Sequence, residues 1–186
     1  MPVARKRGVS ALGVFLSLAL GLPFSSDWVV YVDPSARFSV RYPRGWHIQE
    51  DPVDGWVAFY RDRPREGTAF VVFPGTRLSG DLEPEVAVRE TLMREAGLGR
   101  SADVRLRQRI TPQGQGIYTV RGEVTWRGAA GIPMRAVFLT VVARPPVHGG
   151  DTLVFYLVLA QAPEREWPRW ERTLTEMLRD FKWMGG

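Results

Sequence analysis

"RFSVRYPRGWHI", residues 37–48, alternates like a strand and then runs straight into Pro-Arg-Gly-Trp. Phe38, Val40 and Tyr42 fall on one face and Arg37, Ser39 and Arg41 on the other, the period of two of a half-buried strand. Pro43 ends it, because proline offers no N–H to a ladder and fixes its own φ. Gly45 can take the positive φ of a tight turn, and Trp46 brings a large apolar surface back toward the protein. The stretch therefore predicts a strand and turn closed by an aromatic plug. Replacing a fully buried plug of this kind by Ala costs about 3–5 kcal/mol.

The chain has 186 residues, enough for one domain with a substantial core. Its formal charge of +5 suggests an anionic partner, but Arg5, Lys6 and Arg7 supply three of the 25 basic residues. Residues 1–26 contain no acid, so the rest holds 22 basic and 20 acidic side chains, a net of +2. Bulk charge thus gives no case for nucleic acid. Of the basic residues all but Lys6 and Lys182 are arginine, a bias that the base composition of a G+C-rich gene accounts for better than a binding site does.

The basic start is followed by an apolar run from Val9 to Leu22, fourteen residues. That is short for about 30 Å of hydrocarbon, so residues 1–26 are expected to be a secretory signal peptide, with retention as an uncleaved anchor the alternative. Cleavage is expected between Leu22 and Trp28, leaving residues 27–186 as an extracytoplasmic domain, periplasmic or secreted. The chain has no cysteine, which excludes disulfides and a lipidated N-terminal cysteine.

Downstream, "WVVYVD", "RFSVRYP", "GWVAFYR" and "TAFVVFP" are β-branched and aromatic runs separated by Pro- and Gly-containing breaks, the pattern of antiparallel strands. From Leu82 the period changes. Leu82, Val86, Met93 and Ala96, with Val88 and Leu92 beside them, lie within about half of a helical wheel, with Pro84 in the first turn and Gly97 and Gly99 at the end. Three or four further strands follow, "DVRLRQRI", "GIYTVRGEVTW", "PMRAVFLTVVA" and "TLVFYLVLA". The last two are apolar on both faces, which places them mid-sheet with cover on both sides. In the closing "APEREWPRWERTLTEMLRDF", Trp167, Trp170, Leu174, Met177, Leu178 and Phe181 form a stripe at spacings of three and four, a helix docked on the sheet. The fold class is α+β: one α/β/α sandwich around a mainly antiparallel sheet of six to eight strands, with a C-terminal helix packed on it. A monomer is expected.

Chemistry is harder to find. The only histidines, His47 and His148, sit beside the Pro-Arg-Gly-Trp turn and in a Pro-Pro-Val-His-Gly-Gly loop, and no Gly-x-Ser-x-Gly or cysteine nucleophile is present. Glu50, Asp51 and Asp54 form a compact acidic group; Pro52 and Val53 interrupt the run of oxygen ligands a calcium loop needs, so a solvated turn is the expectation and weak metal binding the open alternative. Gly97 and Gly99 follow a helix, the wrong side for a phosphate cradle. No catalytic residue and no cofactor is expected. The strongest positive feature is Arg105, Arg107 and Arg109, which alternate along one strand. Such a row could bind an acidic protein partner or, less readily without interleaved aromatics, nucleic acid or a lipid headgroup, yet an edge strand also displays charges to discourage pairing with another edge, and edge protection is the preferred reading.

The "FSVRYPRGW" strand and turn near the start of an exported domain, followed by meander strands, a helix, four strands and a last helix ending "MLRDF", resembles the PsbP-like family over residues 28–183. That family includes the extrinsic subunits of photosystem II and bacterial relatives grouped with DcrB-type envelope proteins. The resemblance implies an antiparallel sheet between helices and a binding, adaptor or assembly role without catalysis. It carries over only Phe38, Tyr42, Pro43, Gly45 and Trp46, as structural residues. The expected function is an accessory domain acting on an envelope protein or a small ligand. The alternatives are a signal-anchored subunit of a membrane complex and a hydrolase with an unrecognised site.

Overall fold

Proline 43 does end the alternating strand, and the turn after it carries the chain from one sheet to another. The computed structural model describes residues 27–184 except 36, 65–66, 80–83, 96–97, 99–101, 111–116, 129–130 and 144–151. The leader and its cleavage region up to residue 26, and His148, lie outside the described residues. In chain order the elements are β1 (Trp28–Val32), β2 (Phe38–Pro43), β3 (His47–Glu50), β4 (Val57–Tyr60), β5 (Ala69–Ser79), α1 (Pro84–Glu95), β6 (Asp103–Ile110), β7 (Ile117–Arg127), β8 (Pro133–Ala143) and β9 (Thr152–Pro163). A 3-10 turn (Glu164–Glu166) then leads into α2 (Trp167–Asp180) and β10 (Lys182–Trp183). All strand pairs are antiparallel. Seven strands form a sheet in the order β3-β4-β5-β9-β8-β7-β6, and three form a smaller one in the order β1-β2-β10.

The expected sheet and C-terminal helix are present, with one addition. "WVVYVD" and "RFSVRYP" do not join the large sheet; they form a separate layer that β10 completes, with Lys182 opposite Ser39 and Trp183 opposite Phe38. Two short strands, β3 and β10, had no signal of their own. All four residues of β3 are exposed, and β10 is two residues long, so neither has an alternation to read.

Alternation in the central strands explains the layers. On β8 and β9, Ala136, Phe138, Leu157 and Leu159 enter one core with Ala58, Val71, Phe73 and, from α1, Ala87, Val88 and Leu92. The intervening Leu139, Val158, Ala160 and Ala162 enter a second core with Phe59, Phe70, Val72, with Phe38 and Val40 of the small sheet, and with Trp167, Leu174, Met177 and Leu178 of α2. Thus α1 covers one face of the large sheet, while α2 and the small sheet cover the other.

The helices fared differently against their sequence patterns. The α2 stripe is buried as the spacing requires. On α1 the buried face is Ala87, Val88, Thr91 and Leu92, whereas Val86 and Met93 are exposed; Leu82 and Ala96 are outside the described residues. The physical reason is Thr91. Its hydroxyl donates to the Ala87 carbonyl at 2.8 Å, so a nominally polar residue can be buried beside a small one and the face turns toward the pair.

Two glycines meet different constraints. Gly45 has φ +87° with nothing near its missing Cβ, so its role is conformational. Gly122 on β7 sits opposite Phe138, and a Cβ there would meet the Phe138 ring and the Arg105 carbonyl oxygen, each at 2.5 Å. Gly122→Ala should therefore lower stability by about 1–3 kcal/mol through overpacking. For Gly45→Ala the expected loss is about 1–2 kcal/mol through the left-handed backbone alone. Urea midpoints check both, and a Gly122→Ala midpoint equal to wild type would mean that Phe138 can move aside freely.

An ion pair between the buried Asp33 and the partly exposed Arg37 ties the β1–β2 turn. Asp33 accepts the backbone N–H groups of Ser35 and Arg37, at 3.0 and 3.2 Å, and the Arg37 fork at 2.9 and 2.7 Å. These Arg37 hydrogen bonds hold the Asp33 carboxyl below the usual carboxylate range, against the upward push of burial. Because the folded value is depressed, the stabilisation is complete above the unfolded value of about 3.9 and is lost as pH falls through the folded one. Wild type should lose stability below about pH 4 more steeply than Asp33→Asn, which lacks that titration. Denaturant midpoints from pH 2 to 6 measure it, and parallel curves would remove Asp33 from the account.

Candidate functional site

Strand β6 is an edge of the large sheet, which puts the arginine row where an edge needs protection. The row itself is broken. Asp103 to Leu106 pair with Thr125 to Gly122, and the register then shifts, so that Gln108 faces Arg121 and Arg109 faces Val120. Arg105 holds the register of Glu123, whereas Arg109 holds that of buried Val120, out of phase with it. A bulge of one residue thus cancels the shared face that simple alternation predicts. The two described guanidiniums also have acidic partners in the chain: Arg105 to Asp103 at 2.9 Å, and Arg107 to Glu123 at 3.2 Å. Glu123 further accepts from Arg135, whose guanidinium lies 5.1 Å over the Trp167 ring.

The remaining sequence candidates are occupied by structural contacts. His47 is exposed and packs on Tyr60, ring centroids 5.5 Å apart. Glu50 accepts the Tyr31 hydroxyl at 2.6 Å, and burial, more than this bond, pushes the Tyr31 phenol up. Asp51 Oδ1 accepts the N–H groups of Val53 and Asp54 at 2.9 and 2.7 Å, an Asx turn that reverses the chain between β3 and β4. Among the described residues no three His, Cys, Asp or Glu side chains come together to hold a metal ion.

A corner that spacing alone does not reveal lies at the sheet-to-sheet turn. Phe38 is buried and Tyr42 packs on Phe59, ring centroids 5.0 Å apart. Trp46 is not a buried plug. It is half-buried and meets Trp170 of α2 edge to face, centroids 5.8 Å apart at 74°. Two exposed guanidiniums, Arg61 and Arg169, lie over the Trp170 ring at 5.0 and 5.2 Å. Residues from the turn, from the end of β4 and from α2 thus form one aromatic and cationic surface. The sequence signal was partial: Trp46 and Trp170 were both visible, but nothing in their separation of 124 positions pairs them.

The sequence profile of the PsbP family matches residues 26–183. The chain belongs to the PsbP family. Compared with curated proteins, it matches none. Among solved structures it is similar to cyanobacterial PsbP (CyanoP) from Synechocystis sp. PCC 6803, at 11% identity over 95% of this chain and 98% of that one, TM-score 0.48. It is also similar to LpqN of Mycobacterium tuberculosis, involved in cell envelope biogenesis, at 13% identity over 78% and 82%, TM-score 0.47. A third is the Saccharomyces cerevisiae Ran-binding protein Mog1p, at 16% identity over 85% and 96%, TM-score 0.44.

In this PsbP-family chain the charged, bulged β6 is expected to act as edge protection. Changing Arg105, Arg107 and Arg109 together to Gln should leave the fold intact and promote concentration-dependent self-association. Light scattering over a range of concentrations reads it. A monodisperse triple variant that loses a salt-sensitive partner would make β6 a binding site instead.

Proposed function

We propose that this PsbP-family chain is a non-catalytic accessory domain working outside the cytoplasm, where it docks an envelope protein through the corner formed by Trp46, Trp170, Arg61 and Arg169. The observation that carries the reading is that corner. Trp and Arg are the residue types that dominate binding energy at protein interfaces, and here they are half-buried or exposed, mutually packed and contributed by three separate elements. A preorganised aromatic surface costs little ordering on binding. Its cations suit a partner that presents carboxylates. Export is supported by the basic and apolar leader, and a binding role by the family.

A photo-crosslinking residue at Arg169 of the full chain, expressed in its own envelope, should give a discrete protein adduct that high salt weakens. From residue 63, between β4 and β5, the yield should be lower. Loss of Trp170 as an anchor should reduce the adduct by a factor on the order of 30, the size of a 2 kcal/mol hot spot. Arg61→Ser places no demand on the core and should weaken the same adduct. An adduct unaffected by both Trp170→Ala and Arg61→Ser would move the docking surface elsewhere.

A further inference from the structure

Among the described residues, none covers the outer face of the small sheet. Along β1, Val29 and Tyr31 pair with Tyr42 and Val40 and turn inward, while Val30 and Val32 pair with Arg41 and Ser39 and stand 61% and 55% exposed. Solvent-facing strand positions are ordinarily polar. Met184, 43% exposed, continues this ladder through its N–H to the Arg37 carbonyl. Beside these apolar groups is a groove of about 320 Å³ lined by Val30, Ser39, Arg41, Arg179, Asp180 and Lys182. Asp180 pairs with Arg41 at 3.1 Å and Arg179 at 3.4 Å, so the three cations and one carboxylate leave a net of +2. Arg41 and Arg179 keep 49% and 70% of their side chains exposed despite those pairs, and Lys182 is also exposed.

We propose that this face is a docking surface for a bilayer containing anionic phospholipid. Val30, Val32 and Met184 enter the boundary between headgroups and acyl chains, and Arg41, Arg179 and Lys182 meet lipid phosphates. Two observations select the bilayer over other occupants. The first is complementarity, since exposed aliphatic groups next to a cationic groove match both the apolar and the anionic layer of such a membrane. The second is reach: only five residues, 23–27, separate the apolar run ending at Leu22 from Trp28, a span of at most about 17 Å. In the alternative in which the leader is retained as an anchor, it holds β1 within reach of the headgroups. The proposal is independent of the tryptophan corner, which it leaves free for a protein.

The test uses the full chain, leader included, reconstituted into phosphatidylcholine vesicles with and without phosphatidylglycerol, both carrying headgroup-nitroxide lipid. The absence of cysteine allows a single label at Val30→Cys or, as control, at Val86→Cys on α1, across the large sheet. Expected is quenching at residue 30 that requires phosphatidylglycerol and is relieved by salt, with little quenching at residue 86. Arg179→Ser or Lys182→Ser, both at exposed positions, should each lower the docked-to-undocked ratio roughly fivefold. Equal quenching at 30 and 86 would show a tether without a docked face and overturn the proposal. So would quenching at residue 30 that ignores phosphatidylglycerol. A residue 30 label unquenched by lipid yet shielded in native envelopes would assign the face to a protein and overturn it equally.

Discussion

A seven-stranded sheet whose central strands are apolar on both faces needs two covers, and that requirement organises the whole molecule. Leu157 and Leu159 on one side of β9, and Val158, Ala160 and Ala162 on the other, are essentially inaccessible to solvent. One helix, α1, covers the first face. The second is covered by α2 together with a second sheet, and the described chain runs from that sheet into the large one and returns to it at β10. The Pro43–Trp46 turn makes the crossing, and β10 makes the return by pairing with β2. Sequence ends that are far apart along the chain therefore meet in one layer, closed by rings of Tyr31, Phe38, Phe59, Phe70 and Phe181 with neighbouring centroids 5.1–6.3 Å apart.

Arginine serves this architecture mainly by lying against aromatic rings and by forking onto carboxylates. Arg37 neutralises the buried Asp33, and Arg135 spans Glu123 and the Trp167 ring. Exposed pairs of this kind contribute little to stability singly, so their number is no measure of it. Their value lies in position: the Asp33 pair shapes the turn that orders the small sheet, and Glu123 ties the bulged edge strand to the strands beside it.

Both proposed surfaces belong to the same cover. The tryptophan corner lies where that cover meets the end of β4, and the cationic groove opens on the outer side of the small sheet. On the two proposals, a PsbP-family domain built this way rests on a membrane with one surface and holds a protein with another, while the opposite face carries α1 and the far edge of the large sheet carries paired arginines and a bulge. The hydrophobic demand of the sheet thus places both proposed surfaces on one side of the molecule.

Much of this was legible in local pattern. Alternation of period two located most strands, the loss of alternation in "FLTVV" and "YLVLA" marked the sheet's centre, and the three-and-four spacing of Trp167, Leu174, Met177 and Leu178 located α2 and its buried face. Each of these is a property of one segment and its own period. What only the tertiary structure decided were relations between segments: that "WVVYV" and "FSVRYP" leave the main sheet, that Thr91 rather than Met93 faces the core, that a bulge after Leu106 puts Arg109 out of phase with Arg105, and that Trp46 meets Trp170. A segment's sequence records which of its faces is apolar, but not which distant surface will bury that face, because many apolar surfaces are interchangeable until packing and register choose among them.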